Sequence, residues 1–268
     1  MNLVRSELRK LLTTNVWWIF GVVLLGTTTL TLLVAIVEAN FVLGPEAAGG
    51  PEPADQYAAT AVNLYTSGQF FGLMFALLLG TLLMTNEYAH QTASASFLTT
   101  PRRDRVVVAK LVTAVGVGVV FWAATTVVDL IGGVLFFTGI DAGPQLGEPT
   151  VLAAIGLNLL AYVLWAILGI GLGTLIRSQL ATVIVAIAMY VLTGTIGLGI
   201  LFALSQWTGQ TWLVDLAVLL PSTASDLMVT GVTLVDLPPR WVGGLVLVAY
   251  GVLAGAAGTM ITQRRDIS

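Results

Sequence analysis

Cysteine is absent, histidine occurs once as His90, and lysine occurs twice, as Lys10 and Lys110. Each shortage removes a class of chemistry. Without cysteine there is neither a disulfide nor a thiolate site, and one histidine builds no zinc or haem centre and no Ser/His/Asp set. Neither lysine stands in a G-x-x-x-x-G-K-[ST] run, so no lysine-bearing loop cradles phosphates and the chain is not expected to hydrolyse ATP. Charge of either sign is scarce, at 9% of residues against 57% hydrophobic. A soluble domain carries about 25% charged residues. The composition therefore excludes a soluble globule and describes a polytopic membrane protein.

The apolar runs divide the chain. Residues 2–14 place Val4, Leu8, Leu11 and Leu12 at helical spacing, with Arg5, Glu7, Arg9 and Lys10 elsewhere on the wheel. That pattern predicts an amphipathic helix lying in the membrane interface. Trp17 and Trp18 mark headgroup level, and the apolar run that follows predicts a first span at 16–38. Its length of about 22 residues exceeds the roughly 7–15 of a signal-peptide core, so it reads as a retained span rather than a cleaved leader. Gly44-Pro45, Gly49-Gly50-Pro51 and Pro53, with Glu46, Glu52 and Asp55 and no cation, read as an exposed outer loop. Residues 58–66 are expected to add a short helix on the outer surface.

Further spans are expected at 68–86, 106–138, 151–176, 180–204 and 241–262. The third runs well beyond the ~20 residues needed to cross. Asp129 lies about 23 residues along it, near the outer boundary, and is expected to be a snorkelled interfacial carboxylate, with an intramembrane proton or ion site as the alternative. Between spans five and six, Trp212 to Leu220 is apolar but carries Asp215 and stops at Pro221. It is too short to cross, so 211–231 is expected to form an external re-entrant hairpin. Gly169/Gly173 and Gly251/Gly255 stand at GxxxG spacing, which allows close helix approach for internal packing or for a dimer.

Cations test this topology independently of apolar length. Arg5, Arg9, Lys10, Arg102, Arg103, Arg105, Lys110, Arg177, Arg264 and Arg265 fall on one side and only Arg240 on the other, of eleven in the chain. The positive-inside rule makes the first side cytoplasmic. The expectation is one all-α transmembrane domain, 1–268, in the cytoplasmic (inner) membrane, with six spans and both termini in the cytoplasm.

The longest polar stretch on the inner side runs from Asn86 to Lys110. Tyr88 to Thr100 lacks Gly and Pro and predicts a short helix, which Pro101 ends. Arg102, Arg103, Arg105 and Lys110 follow, with Asp104 as the only opposing charge among them. The stretch reads either as a loop that marks topology or as a docking site for a soluble partner.

An interfacial helix entering span one, a Glu at the inner end of span two, a short cytoplasmic helix closed by T-T-P-R-R-x-R and an external hairpin before span six together resemble the membrane subunit of an ABC transporter of the type 2 export class. The most specific part is Asn86-Glu87-Tyr88 through Leu98-Thr99-Thr100-Pro101-Arg102 and Val108-Ala109-Lys110-Leu111, which is similar to the family's coupling helix. Gln91-Thr92 stands where the family often has Gly-Thr. Leu219-Leu220-Pro221-Ser222 is similar to its extracellular hairpin.

The resemblance implies a permease that pairs with a second permease copy or paralogue and with separate ATPase subunits, which hold the ATP and Mg. No cofactor in this chain and no nucleic-acid partner are expected; membrane lipid is. It implies docking through Glu87, Tyr88, Phe97, Leu98, Arg102 and Arg103 around the coupling helix (88–100), and through Arg5, Leu8 and Arg9 of a connecting helix. It also implies outward movement of an amphiphilic drug, antibiotic, peptide or lipid along spans one, two and five. Two other classes compete. An ion-coupled secondary transporter needs midplane ionisable groups or paired broken helices, and a membrane-embedded enzyme needs a polar cluster at common depth.

Overall fold

Inside a bilayer, a long apolar run must satisfy its own backbone N–H and C=O groups, which makes each run a helix. The structure, a computed structural model, describes residues 2–43, 53–89, 103–176, 178–231 and 238–264, and every regular element among them is helical. In chain order these are α1 (Asn2–Thr13), α2 (Val16–Leu43), α3 (Pro53–Tyr65), α4 (Gln69–Ala89), α5 (Arg103–Gly139), α6 (Pro149–Leu175) and α7 (Gln179–Val191). A π-helical turn at Leu192–Ile196 joins α7 to α8 (Gly197–Thr208). Then come α9 (Trp212–Asp215), a 3-10 turn at Leu216–Leu219, α10 (Pro221–Thr230) and α11 (Arg240–Arg264).

Local chemistry sets several of these ends. Pro149 and Pro221 open α6 and α10 at the first turn, where a missing N–H costs no helical bond. Gly209 and Gly231 close α8 and α10 in the left-handed conformation. Six segments are long and apolar enough to cross a membrane: Val16–Leu43, Gln56–Asn86, Val108–Gly139, Pro149–Leu175, Gln179–Thr208 and Arg240–Ala257. The protein is a multi-pass membrane protein. Between the last two segments, Trp212–Leu219 and Pro221–Thr230 meet at 91° around Leu220.

Two expectations change. The helix expected on the outer surface at 58–66 is the end of α3, and it is packed inside: Ala61, Val62, Leu64 and Tyr65 are buried. It joins α4 in one apolar segment that begins at Gln56 rather than at 68. The reason is its inward face, which pairs Tyr65 with Phe137 of α5 and sends the Tyr65 hydroxyl to the Pro144 carbonyl. Lys110, expected in the polar inner stretch, is on α5 and only 1% exposed. The coupling helix expected at 88–100 lies outside the described residues from position 90 onward, as does His90.

The core is built on α4 and α6, which pack on each other more extensively than any other pair of described elements. Their backbones nearly touch. A Cβ on Gly169 would stand 2.1 Å from the Leu77 carbonyl oxygen, and one on Gly80 would stand 2.2 Å from that of Ala166. Gly173 meets Met84 and Thr81 in the same seam, so the Gly169/Gly173 pair serves internal packing. A Cβ on Gly251 would stand 3.4 Å from the Leu164 side chain, whereas one on Gly255 would meet nothing within 4 Å. Gly169→Ala is expected to force the two helices apart and to cost about 1–3 kcal/mol, seen as a lower unfolding temperature in detergent. Gly116→Ala, where a Cβ meets nothing within 4 Å, is the control and leaves that temperature unchanged or slightly raised.

Candidate functional site

Two polar nodes interrupt the apolar bundle, and both involve the segment formed by α3 and α4. The first surrounds the break between these helices. Three residues, Thr66 to Gly68, turn the chain there, and backbone groups at such a break need partners away from water. Asp129 of α5 supplies two of the bonds. Its carboxylate accepts from the Ser67 hydroxyl at 2.8 Å and from the Gly68 N–H at 3.2 Å. Tyr162 of α6 donates to the Gly68 carbonyl at 3.3 Å and shares a 2.9 Å bond with Thr125. Two residues further, Tyr190 of α7 donates to the Phe70 carbonyl at 2.6 Å.

Asp129 is therefore not snorkelled. It is 1% exposed, because the break in the neighbouring segment offers it donors that headgroup water would otherwise provide. It sits about ten residues, or roughly 15 Å, short of the C-terminal end of α5.

A cavity of about 530 Å³ opens beside this break, between α2, the α3–α4 segment and α10. Leu30, Val34 and Phe70 give it apolar wall, while Asn63, Ser67 and Gln69 give it neutral polar groups. Its charged residues are Glu38 and Asp226. Gln69 donates to Asp226 at 2.9 Å and so ties the break to α10. Arg240, the cation expected on the outer side, donates to the carbonyls of Met228 and Val229 at 3.3 and 2.8 Å. It closes the last turn of α10, where a cation also suits the helix dipole.

The second node is at the other end of α4. Glu7 of α1 is 5% exposed and holds two lysines, Lys110 at 2.7 Å and Lys10 at 2.6 Å. Lys110 also donates to the Leu83 carbonyl of α4 at 2.9 Å. A cavity of about 240 Å³ adjoins the pair, with Leu11, Leu79 and Leu82 among its walls. Asn86 accepts from Gln179 nearby, joining the C-terminal end of α4 to the N-terminal end of α7.

The residues expected to dock an ATPase are placed only in part. Glu87 and Tyr88 lie in the last turn of α4 and Arg103 begins α5. Phe97, Leu98 and Arg102 lie outside the described residues. On α1, Arg5, Leu8 and Arg9 are all exposed, and they share that helix with the buried Glu7. Glu7, Gln69, Tyr162 and Asp226 had no part in the sequence-based site. For Glu7 a signal was there: it stands three residues after Val4 and four before Leu11, on the apolar side of its helix. Among the described residues no group of three His, Asp or Glu could hold a metal.

Burial alone would raise the Glu7 carboxyl, but the charge of Lys110 and the hydrogen bonds from Lys10 and Lys110 outweigh it, and the group is held below its ordinary 4.5. A carboxyl lowered on folding adds stability above its ordinary value and loses it as pH falls through the lowered one. The unfolding temperature of Glu7→Gln should accordingly lie below that of the parent chain near neutral pH. The gap should close as pH falls below 4.5. A gap independent of pH would show that the carboxylate charge contributes nothing.

The family model for the ABC-2 family transporter protein matches residues 3–194, from α1 through the break and both nodes to the π-helical turn after α7. No curated protein matches the chain. With most of its length under that match, and with six helical segments able to cross a membrane, the chain belongs to the ABC-2 transporter family and is the permease of an ABC transporter.

Proposed function

We propose that this permease is half of the membrane unit of an ABC exporter, driven by ATP that separate subunits bind with Mg and hydrolyse. The observation that carries this reading is the family match over residues 3–194 in a chain without a phosphate-binding loop. ATPase closure acts through the stretch between α4 and α5, with Glu87, Tyr88, Phe97, Leu98, Arg102 and Arg103, and through Arg5, Leu8 and Arg9 on α1. A second permease copy or paralogue completes the unit. Its natural seat is on α2 and α7–α8, whose segments bury only 17% and 12% of their most apolar windows within this chain.

The protein sits in the cytoplasmic membrane with both termini inside, as the ten-to-one division of cations supports. The right-angled pair around Leu220 is an external re-entrant hairpin, a form that non-helical backbone takes at membrane depth only when protein covers it. Pro221 to Ser225 and Leu227 to Val229 are buried, which suits that role. The cargo is an amphiphile moved outward. The cavity between α2, the α3–α4 break and α10, apolar on some walls and polar on others, suits such a molecule. An ion-coupled mechanism finds less support, since the Asp129 carboxylate is engaged by Ser67 and Gly68.

Two measurements test this. Single cysteines at Gly147 and Gln210 should react with an impermeant thiol reagent outside intact cells, while cysteines at Ser94 and Ser178 should not; reaction at Ser94 from outside would sink the orientation. The purified chain should hydrolyse ATP only with a nucleotide-binding subunit bound. Phe97→Asp should release that subunit, since burying one such side chain contributes roughly 1.5–3 kcal/mol. Full retention and normal turnover would reduce the stretch to a topology signal.

A further inference from the structure

The interfacial helix is packed in an unexpected place. Only Thr14 and Asn15 separate α1 from α2 in sequence, yet α1 packs more extensively on α5 than on α2. At that contact the chain buries opposite charges. Glu7 and Lys110 are 5% and 1% exposed and 2.7 Å apart, and Lys110 reaches on to the Leu83 carbonyl of α4. In a low-dielectric site such a pair is strongly directional, and removing one member strands the other.

The position along the helices gives the pair its meaning. Lys110 is about 10 Å up α5 from Arg103, and Leu83 about 9 Å up α4 from Ala89, at 1.5 Å per residue. The pair thus bridges the two helix ends that flank residues 90–102 and holds α1 to both.

We propose that Glu7 is a positioning residue for ATP-driven transport: through Lys110 it clamps the interfacial helix to the two helices flanking the stretch that receives the ATPase, so that the three ends move as one body. This rests on the ATP-driven reading above. A purely structural ion pair would hold α1 in place at rest. A clamp also makes α1 follow α5 when nucleotide moves it.

The absence of native cysteine allows a direct test. Spin labels are placed on cysteines at Ser6 in α1, Val108 in α5 and Leu180 in α7, all exposed positions. Distances are measured pairwise in the complex with its ATPase, nucleotide-free and trapped with ATP and vanadate. In the parent chain, Ser6–Leu180 and Val108–Leu180 should shift together on trapping while Ser6–Val108 stays constant. Glu7→Gln combined with Lys110→Met removes both charges, leaves neither of the two stranded and keeps the bundle assembled. There the Ser6–Leu180 shift should be lost and Ser6–Val108 should broaden, with Val108–Leu180 still shifting. Glu7→Asp, which keeps the charge but withdraws it, should give a partial loss and serves if the double variant does not assemble.

Parent-like shifts in the double variant, or in Glu7→Asp where that variant stands in, would overturn the clamp. So would a parent chain in which Val108–Leu180 changes and α1 does not follow. No change at Val108–Leu180 in the parent chain would overturn the ATP-driven reading itself, and the clamp with it.

Discussion

A break in a helix at membrane depth is tolerable only if protein groups replace the missing backbone partners, and the break at Thr66–Gly68 organises much of this bundle around that requirement. Asp129, Tyr162 and Tyr190 reach it from α5, α6 and α7, and Gln69, next to it, reaches Asp226 on α10. Four elements are thereby fixed to one short stretch. Their side chains are large and polar, and each is satisfied by a group on another part of the chain. The depth and rotation of those helices follow from bonds that have one geometry, rather than from apolar contact, which has many.

Below the break, α4 and α6 form a glycine-lined seam in which backbone lies against backbone. Lipid tails are as apolar as leucine, so helix association here depends on closeness of packing, and small residues allow it. Toward its C-terminal end the same α4 offers the Leu83 carbonyl to Lys110, and through it to Glu7. One well-packed column therefore carries a polar node at each of two levels. The helices around it bury much less: the windows of α2 and α11 bury 17% each. That contrast separates an internal frame from surfaces left for lipid or for another subunit.

Much of the architecture was legible because it depends on the length of apolar runs, which is a property of the one-dimensional chain. Six apolar runs became six segments able to cross a membrane. The apolar hairpin that stops at Pro221 became a helix pair bent around Leu220. The candidate site was less legible. Asp129 read as a surface carboxylate because a single aspartate in an apolar run says nothing of what faces it, and the partner is a backbone N–H some sixty positions earlier. Lys110 read as one of a solvated cluster because it follows three arginines, whereas Glu7 of α1 and the Leu83 carbonyl of α4 hold it out of water.

Membrane residence, the six apolar runs long enough to cross and the lack of a G-x-x-x-x-G-K-[ST] run were determined by the sequence alone, since hydrophobic length and residue order act whatever the fold. Tertiary structure decided which polar residues are spent on one another. Whether Glu7, Asp129 or Asp226 meets water, a lysine or a backbone amide depends on helices far apart in the chain arriving at the same depth and rotation. No local pattern encodes that arrival, because in a uniformly apolar medium it comes from the packing of α4 on α6 and the cross-helix bonds at the break.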